Sequence, residues 1–141
     1  MAALIDTNVL VYRFDPRVPE KQSKANRLLR KGVGADDIRL AHQTLVEFVA
    51  AVTRPIPGRE PLLSSTDARR EAEDMLSQFV VVYPDADVVR LAVRGAAAYQ
   101  LDWFDAHMWA YAEHFALDTL YSEDFQHDRL YGRVRVVNPF F

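Results

Sequence analysis

The sequence predicts an α/β fold in which a central, mainly parallel sheet is flanked by helices. Short runs rich in β-branched residues, such as VVVY at 80–83 and VRVV at 134–137, alternate with longer stretches of helical pattern. Hydrophobic residues make up 50% of the 141 residues, which suits a packed core. The length fits one domain, and we expect residues 1–141 to form it.

The first half of the chain contains two predicted strands and three predicted helices. The order is strand 2–5, helix 8–14, helix 19–31, strand 37–41 and helix 43–53. Leu4 and Ile5 end the first strand, and the apolar run from Val9 to Phe14 begins the first helix. The segment RPIPGREP, 54–61, contains three prolines and a glycine, so we expect helix 43–53 to end there and 54–64 to form a surface loop.

The second half contains three further helices and three strands. The order is helix 65–78, strand 79–83, helix 86–100, helix 105–116, strand 118–121 and strand 134–137. Ser64, three residues before Asp67, is typical of a residue that caps the start of helix 65–78.

Composition excludes several classes of site. The chain has no cysteine, so disulfides, thiolate metal sites and cysteine nucleophiles are excluded. No window approaches the ~18 uncharged apolar residues of a membrane span, and no secretory signal pattern opens the chain. We therefore expect a cytoplasmic protein without membrane association. The formal net charge of -3 does not indicate a nucleic-acid binder, although 14 of the 17 basic residues are Arg, which suits phosphate.

Four stretches present carboxylates with no basic partner nearby in sequence. Asp6 ends the first strand, where Asp6-Thr7-Asn8 either caps a helix or places an acid at a strand end. Glu47 is the only charge in helix 43–53, whose faces are nearly all apolar, which predicts a buried helix and a partner for Glu47. Ser122-Glu123-Asp124 follows strand 118–121, and the pattern does not choose between the two acids.

The fourth carboxylate is Asp105, at the start of helix 105–116. It falls on the same helix face as an apolar stripe that includes Met108, Trp109 and Ala112. An acid in the first turn also complements the helix dipole, so capping competes with a functional role. Asp102 could supply the cap instead and leave Asp105 facing inward.

Convergence of these acids would require a cation. Two like charges ~4 Å apart repel by about 1 kcal/mol in water and by about 4 kcal/mol at an effective dielectric of 20. Oxygen ligands without cysteine select Mg²⁺ or Mn²⁺ over zinc. Such an ion, held by a few carboxylates, commonly serves phosphoryl chemistry.

The chain resembles the PIN-domain nucleases, and among them the VapC toxins of bacterial toxin–antitoxin pairs. The resemblance lies in IDTNVLVY at 5–12, LVEF around Glu47, WFDAHMWAYA around Asp105 and LYSEDFQH around Asp124, and the closing GRVRVVNPF is similar to the family's final strand. These acidic blocks occur in the family's order over nearly the whole chain. Asp102 departs from the family, whose members often have Ser or another small polar residue there.

The resemblance implies a PIN-like three-layer sandwich and a Mg²⁺-dependent endoribonuclease, with Mn²⁺ as a substitute ion. Asp6, Glu47, Asp105 and Asp124 would form the catalytic cluster, with Asp6, Asp105 and Asp124 as metal ligands. Thr7, Asn8 and Ser122 match supporting polar positions. Water activated by the metal would hydrolyse RNA and leave 5′-phosphate and 3′-hydroxyl ends.

The resemblance also implies partners. A toxin of this type would act on RNA, form a homodimer and be neutralised by a cognate antitoxin protein. The apolar content of helices 8–14 and 43–53 favours a groove in which an antitoxin helix could lie, with an Arg reaching the acidic cluster.

Three other interpretations compete with this one. A receiver domain would need a lysine late in the chain, whereas Lys21, Lys24 and Lys31 are all early. A haloacid-dehalogenase phosphatase would need Asp at position 8, where Asn8 stands. A non-catalytic PIN-fold binding module would be expected to lack one of the four acids, and all four are present.

Overall fold

A computed structural model of the protein describes residues 2–141. Its centre is a six-stranded sheet in the order β3-β2-β1-β4-β6-β5. The strands are β1 (Ala3–Ile5), β2 (Ile38–Ala41), β3 (Val80–Val82), β4 (Thr119–Tyr121), β5 (Arg129–Tyr131) and β6 (Val134–Val137). All neighbouring strands pair in parallel except β5 and β6, which are antiparallel. The mainly parallel sheet expected from the sequence is thereby confirmed.

Helices cover both faces of this sheet. They are α1 (Thr7–Tyr12), α2 (Pro19–Ala35), α3 (His42–Val52), α4 (Ser65–Gln78), α5 (Ala86–Tyr99) and α6 (Trp103–His114). Successive side chains of a strand point to opposite faces. Accordingly, Leu4 of β1 packs in the cluster formed with α5 and α6, whereas Ile5 packs in the cluster formed with α1, α2, α3 and α4. The arrangement is a three-layer sandwich.

The strand β5 was not expected from the sequence. It pairs with β6 through a two-residue turn at Gly132 and Arg133, in which Gly132 has a φ of +61°. Glycine at the first position of such a turn is a hairpin signal, and Arg129–Tyr131 is too short to show a clear alternation. Helix α2 also runs four residues beyond the expected end at residue 31, up to Ala35.

The expectation that helix 43–53 is buried on all sides is wrong. Phe48 and Val52 of α3 are fully buried, but Val46 on the opposite side is 57% exposed and Ala50 is also exposed. The helix lies on the sheet with one face only, because nothing in residues 2–141 covers its outer face. Its apolar outer surface therefore borders solvent.

Helices α5 and α6 cross at a small residue. A Cβ added at Gly95 of α5 would lie 2.4 Å from the Trp109 ring of α6. The indole Nε1–H of Trp109 in turn donates to the carbonyl oxygen of Tyr131 in β5 at 2.9 Å. These contacts fix α6 against the sheet.

In residues 2–141, no helix combines the length and the apolar character that crossing a bilayer requires.

Candidate functional site

The candidate site lies at the carboxyl ends of β1 and β4, which are neighbours at the centre of the sheet. The chain moves from β1 to β2 on one side, while β4 lies on the other side of β1. In open α/β sheets such a reversal of strand order leaves a crevice in which ligands bind. Asp6 follows β1 directly, and Ser122 follows β4 directly.

Asp6 is a buried carboxylate with a double role. Its Oδ1 accepts from the backbone N–H of Thr7 at 2.7 Å, so it caps α1. Its Oδ2 accepts from the hydroxyl of Ser122 at 2.6 Å. The two functions weighed for Asp6, capping and placing an acid at the strand end, therefore coexist in one side chain.

Asp105 lies in the first turn of α6, which starts at Trp103, two residues before the start expected from the sequence. Asp102 caps the helix, since its Oδ1 accepts from the backbone N–H of Asp105 at 2.8 Å. This division confirms that Asp102 supplies the cap and leaves the Asp105 carboxylate directed at Asp6 and Asp124.

The two acids after β4 take different directions. Asp124 accepts from the Asn8 amide at 3.0 Å and joins the cluster, whereas Glu123 turns towards Tyr12 of α1 and Lys21 of α2. There the Glu123 carboxylate accepts from Tyr12 Oη at 2.7 Å and from Lys21 Nζ at 2.8 Å. Lys21 neutralises Glu123, and Asp124 is left without a basic partner in residues 2–141.

Asp6, Asp105 and Asp124 converge. Each offers a carboxylate oxygen, and the three oxygens lie within 4.8 Å of one another. Burial is the main cause that raises the pKa of Asp6 to about 7, against the lowering effect of its hydrogen bonds to Ser122 and Thr7. Burial, followed by repulsion from Asp102, raises the pKa of Asp105 to about 8.

This donor set fits a hard divalent cation. These three carboxylates lie at ligand spacing, form no ion pair to a base in residues 2–141 and repel one another when all are charged. The raised pKa values of Asp6 and Asp105 reflect that unfavourable charge together with burial. A bound cation reverses that repulsion and lowers the pKa of each ligand. All-oxygen ligation favours Mg²⁺ or Mn²⁺.

Glu47 stands beside this group and is linked to it through Thr7. The Glu47 Oε1 accepts from the Thr7 hydroxyl at 2.9 Å and from the Gln43 amide at 3.2 Å. Its negative charge contributes to the raised pKa of Asp6. The structure thus brings all four sequence-predicted acids to one edge of the sheet, three at mutual ligand distance and Glu47 at the rim.

The supporting residues link the acids. The Ser122 hydroxyl donates to Asp6 and accepts from the backbone N–H of Asp124 at 3.1 Å. The Asn8 amide donates to Asp124 and, at 3.4 Å, to Ser122. The buried Asn8 Oδ1 has no hydrogen-bond partner among residues 2–141, so it presents an unused acceptor next to the cluster.

A groove of about 610 Å³ lies between α1 and α3, next to the cluster but not lined by its three acids. Its lining contains polar residues from the site and apolar residues from both helices: Thr7, Asn8, Val11, Tyr12, Asp15, Arg17, Glu47, Ala50, Ala51, Arg54, Phe104 and Glu123. Tyr12, Lys21, Arg54 and Phe104 were not expected from the sequence to lie at or beside the site. Tyr12 and Lys21 are separated from Glu123 by about a hundred residues, so no local pattern links them.

The comparisons with known proteins agree with this geometry. The PIN domain family matches residues 3–133. A search of curated proteins finds no match. Similar solved structures include a toxin–antitoxin complex from Klebsiella pneumoniae, with 20% identity, 98% of each chain covered and a TM-score of 0.69.

Two further structures are similar to the chain. VapBC2 from Rickettsia felis, bound to a DNA fragment from their promoter, has 13% identity, covers 96% of this chain and 97% of that chain, and gives a TM-score of 0.70. VapC20 from Mycobacterium tuberculosis is a sarcin-ricin loop cleaving toxin. It has 16% identity, the match covers 87% of this chain and 90% of that chain, and the TM-score is 0.63. These likenesses establish the fold. With the family match over 3–133, the chain belongs to the PIN domain family.

Proposed function

We propose that this protein is a Mg²⁺-dependent endoribonuclease that acts as the toxin of a type II toxin–antitoxin pair. The observation that carries the proposal is the convergence of Asp6, Asp105 and Asp124 within 4.8 Å at the switch point of the sheet. Asp6 and Asp105 have raised pKa values and no basic partner in residues 2–141, which supports a functional site in this crevice.

Asp6, Asp105 and Asp124 would hold the ion. When bound, Mg²⁺ supplies stabilisation of the charge that develops on a phosphate and lowers the pKa of a water molecule. Ser122 and Thr7 keep the two Asp6 oxygens in fixed directions, and Asn8 does the same for Asp124. Such supporting hydrogen bonds orient metal ligands.

Glu47 has a separate proposed role. It is half-buried and bound only to a hydroxyl and an amide, so its remaining carboxylate oxygen can accept a proton from an attacking water. Attack by water on the phosphorus breaks the bond to the 3′ oxygen and gives 5′-phosphate and 3′-hydroxyl ends. The proton passes to Glu47, and the leaving oxygen takes a proton from solvent.

The toxin assignment is supported by the relatives. Two of the similar structures are complexes of a toxin with its antitoxin, and another is a toxin that cleaves the sarcin-ricin loop. We infer that this chain likewise acts on RNA inside the cytoplasm, forms a homodimer and is neutralised by a cognate antitoxin. The exposed apolar side of α3, with Val46 at 57% exposure, offers surface for such contacts.

The direct test of the activity is incubation of the purified protein with total RNA or tRNA and millimolar Mg²⁺. We expect fragments with 5′-phosphate ends, detected by end labelling, and no cleavage in EDTA. Mn²⁺ should replace Mg²⁺. Intact RNA after incubation with Mg²⁺ and with Mn²⁺ would favour the non-catalytic PIN-fold binding module instead.

The partner assignment has its own test. Light scattering of the purified chain should give a mass near twice 16.1 kDa. Co-expression with the product of the neighbouring reading frame should yield a stable complex that no longer cleaves RNA. A monodisperse monomer that shows no affinity for the neighbour's product would overturn the toxin–antitoxin assignment.

A further inference from the structure

We propose that Lys21 of α2 is a positioning residue for Asp124, one of the three acids that would hold the cation. Lys21 binds the neighbouring Glu123 and thereby fixes the turn that carries Asp124. Lys21 is not itself part of the acidic cluster and acts on it through Glu123. The inference rests on the metal site of the proposed function and adds a residue that sets the affinity of that site.

The turn after β4 has few restraints from the sheet. β4 ends at Tyr121, and the next strand begins only at Arg129. Ser122 donates its backbone N–H to the carbonyl oxygen of Val137 at 3.1 Å, so the sheet fixes the first residue of the turn. Beyond it, side-chain contacts have to hold the backbone. Because neighbouring residues share a planar peptide group, a shift of the residue after Ser122 also moves Asp124.

Glu123 is anchored through both of its carboxylate oxygens. Oε1 accepts from Tyr12 Oη at 2.7 Å, and Oε2 accepts from Lys21 Nζ at 2.8 Å. Lys21 Nζ also donates to Tyr12 Oη at 3.2 Å, so the three groups form a closed ring of hydrogen bonds. The Glu123 side chain is only 21% exposed, which strengthens charge-assisted bonds of this kind. Its carboxylate is therefore held firmly towards α1 and α2.

Two aromatic rings hold the Lys21 ammonium in place. Nζ lies 4.7 Å from the centroid of the Tyr12 ring and 5.5 Å from that of Phe140. These two rings pack edge-to-face at 5.0 Å. Phe140 follows β6, and its backbone N–H donates to Asn138 Oδ1 at 2.9 Å. The hydrogen bonds to Glu123 and Tyr12 raise the pKa of Lys21, so the ammonium stays charged.

This ion pair differs from the exposed pairs on the helices. The pairs in α4 and α5 join exposed residues three apart in sequence, and such pairs add little to stability. Lys21 and Glu123 are 102 residues apart and connect α2 to the turn that bears a ligand of the cluster. The loss of this pair would therefore reach the cation site, whereas the loss of a local helix pair would not.

Removal of the ammonium has two effects on cation binding, and they differ in sign. Glu123 would keep only the Tyr12 hydroxyl as a donor, so its carboxylate would turn towards water and displace Asp124, which weakens binding. The freed negative charge would by itself strengthen binding. We expect the displacement to dominate, because water and salt screen a solvated charge, whereas a displaced ligand no longer reaches the ion.

The test is calorimetric titration of EDTA-treated, dialysed protein with Mn²⁺. Lys21→Met should weaken binding about tenfold or more, as is typical when a partner that orients a metal ligand is lost. Lys21→Arg should keep the affinity within about threefold, because a guanidinium also pairs with carboxylates and stacks on aromatic rings. Lys31→Met is the matched control. It removes the same charge from an exposed position of the same helix and should bind Mn²⁺ as the unsubstituted protein does.

A double-substitution cycle tests whether Lys21 acts through Glu123. Glu123→Ala removes the same anchor and should also weaken Mn²⁺ binding. In the Glu123→Ala protein, the further change Lys21→Met should alter the affinity by less than about twofold, because the two residues form one link. Two losses that simply multiply would overturn the inference. Melting curves in EDTA establish that each variant is folded at the temperature of the titration.

The outcomes separate this inference from the proposed function. If the unsubstituted protein binds Mn²⁺ without cleaving RNA and Lys21→Met weakens that binding, the inference holds and the nuclease function is wrong. If Lys21→Met binds Mn²⁺ as tightly as the unsubstituted protein or more tightly, the inference alone is wrong. An equal loss in Lys31→Met would assign the effect to net charge and overturn it as well. If the unsubstituted protein binds no Mn²⁺, both are overturned.

Discussion

Asp6 shows how one side chain serves both folding and function. It caps α1 and accepts a hydrogen bond from Ser122. Its pKa is nevertheless raised to about 7, because burial destabilises the charged form by more than the two hydrogen bonds stabilise it. Asp105 has a pKa of about 8 for a related reason, with Asp102 adding repulsion. The site is therefore a place where the fold tolerates unfavourable charge.

The raised pKa values predict a pH dependence of stability in EDTA. The unfolded chain releases the Asp protons near pH 3.8, whereas the folded chain holds them up to about pH 7 and pH 8. The folded state thus binds more protons in this window, and the free energy of unfolding falls as pH rises from about 4 to 8. Melting temperatures should be several degrees lower at pH 8.5 than at pH 5.

The control for that experiment is the Asp6→Asn/Asp105→Asn protein. Neither asparagine titrates, so most of the difference between the two melting temperatures should disappear. An unchanged difference in the double variant would assign the pH dependence to other groups.

Single substitutions of the acids should separate activity from stability. Asp6→Asn, Asp105→Asn and Asp124→Asn are nearly isosteric, so we expect loss of RNA cleavage with the fold retained or stabilised, since repulsion is reduced. Glu47→Gln should also abolish cleavage if Glu47 accepts the proton. The measurement is cleavage of tRNA in Mg²⁺ beside a melting curve for each variant.

Asp102→Asn is the matched control in that series. Asparagine also caps helices, so the change should cost about 1 kcal/mol or less and leave cleavage intact. An inactive, folded Asp102→Asn together with an active Asp105→Asn would mean that the ligand has been assigned to the wrong acid.

Ser122→Ala tests the hydrogen bond that orients Asp6. The change leaves Asp6 Oδ2 without its 2.6 Å donor and should lower affinity for Mn²⁺ about 10- to 100-fold, measured by calorimetric titration. Ser77→Ala, at an exposed position of α4, is the control and should not alter binding. Equal affinity in the two variants would argue against Asp6 as a ligand.

At the scale of elements, the position of Asp105 depends on how α5 and α6 cross. The contact between Gly95 and Trp109 sets the separation of the two helices, and the Trp109 indole is hydrogen-bonded to Tyr131 of β5.

The start of α4 is fixed by a hydrogen bond within the chain segment itself. Ser64 Oγ accepts from the Asp67 N–H at 3.1 Å, which confirms the capping residue expected for α4.

Two glycine substitutions in helices should have opposite effects. Gly95→Ala places a Cβ 2.4 Å from the Trp109 ring, so we expect a loss of about 1–3 kcal/mol in stability and reduced cleavage as α6 shifts. Gly34→Ala, in α2, meets nothing within 4 Å and should raise stability by up to about 1 kcal/mol. Chemical denaturation of both variants measures this, and equal stabilities would contradict the crossing argument.

At the scale of the molecule, the acidic cluster makes folding and cation binding dependent on each other. An ion that binds only the folded state raises the free energy of unfolding by about 2.7 kcal/mol at 100 times its dissociation constant. Millimolar Mg²⁺ or Mn²⁺ should therefore raise the melting temperature of EDTA-treated protein at pH 8. The Asp6→Asn/Asp105→Asn protein should show little rise, and an equal rise in both would place the ion elsewhere.

The sequence by itself determined the layered α/β fold, the strand-end positions of Asp6 and Asp124 and the capping role of Ser64. These features follow from the spacing of apolar residues and from the residue types that begin and end helices, both of which are local properties of the sequence. β5 shows no such local signal, because its three residues gain a strand conformation only by pairing with β6. The burial of α3 is not a local property either, because apolar residues alone do not say which helix face meets the sheet.

Only the tertiary structure decided how the carboxylates divide their roles. Glu123 and Asp124 are neighbours in sequence, yet Lys21 and Tyr12 draw Glu123 away and Asn8 holds Asp124 at the cluster. Those partners lie more than a hundred residues away in the chain. The energy of a carboxylate depends on burial and on nearby charges in space, and neither can be read from spacing along the chain.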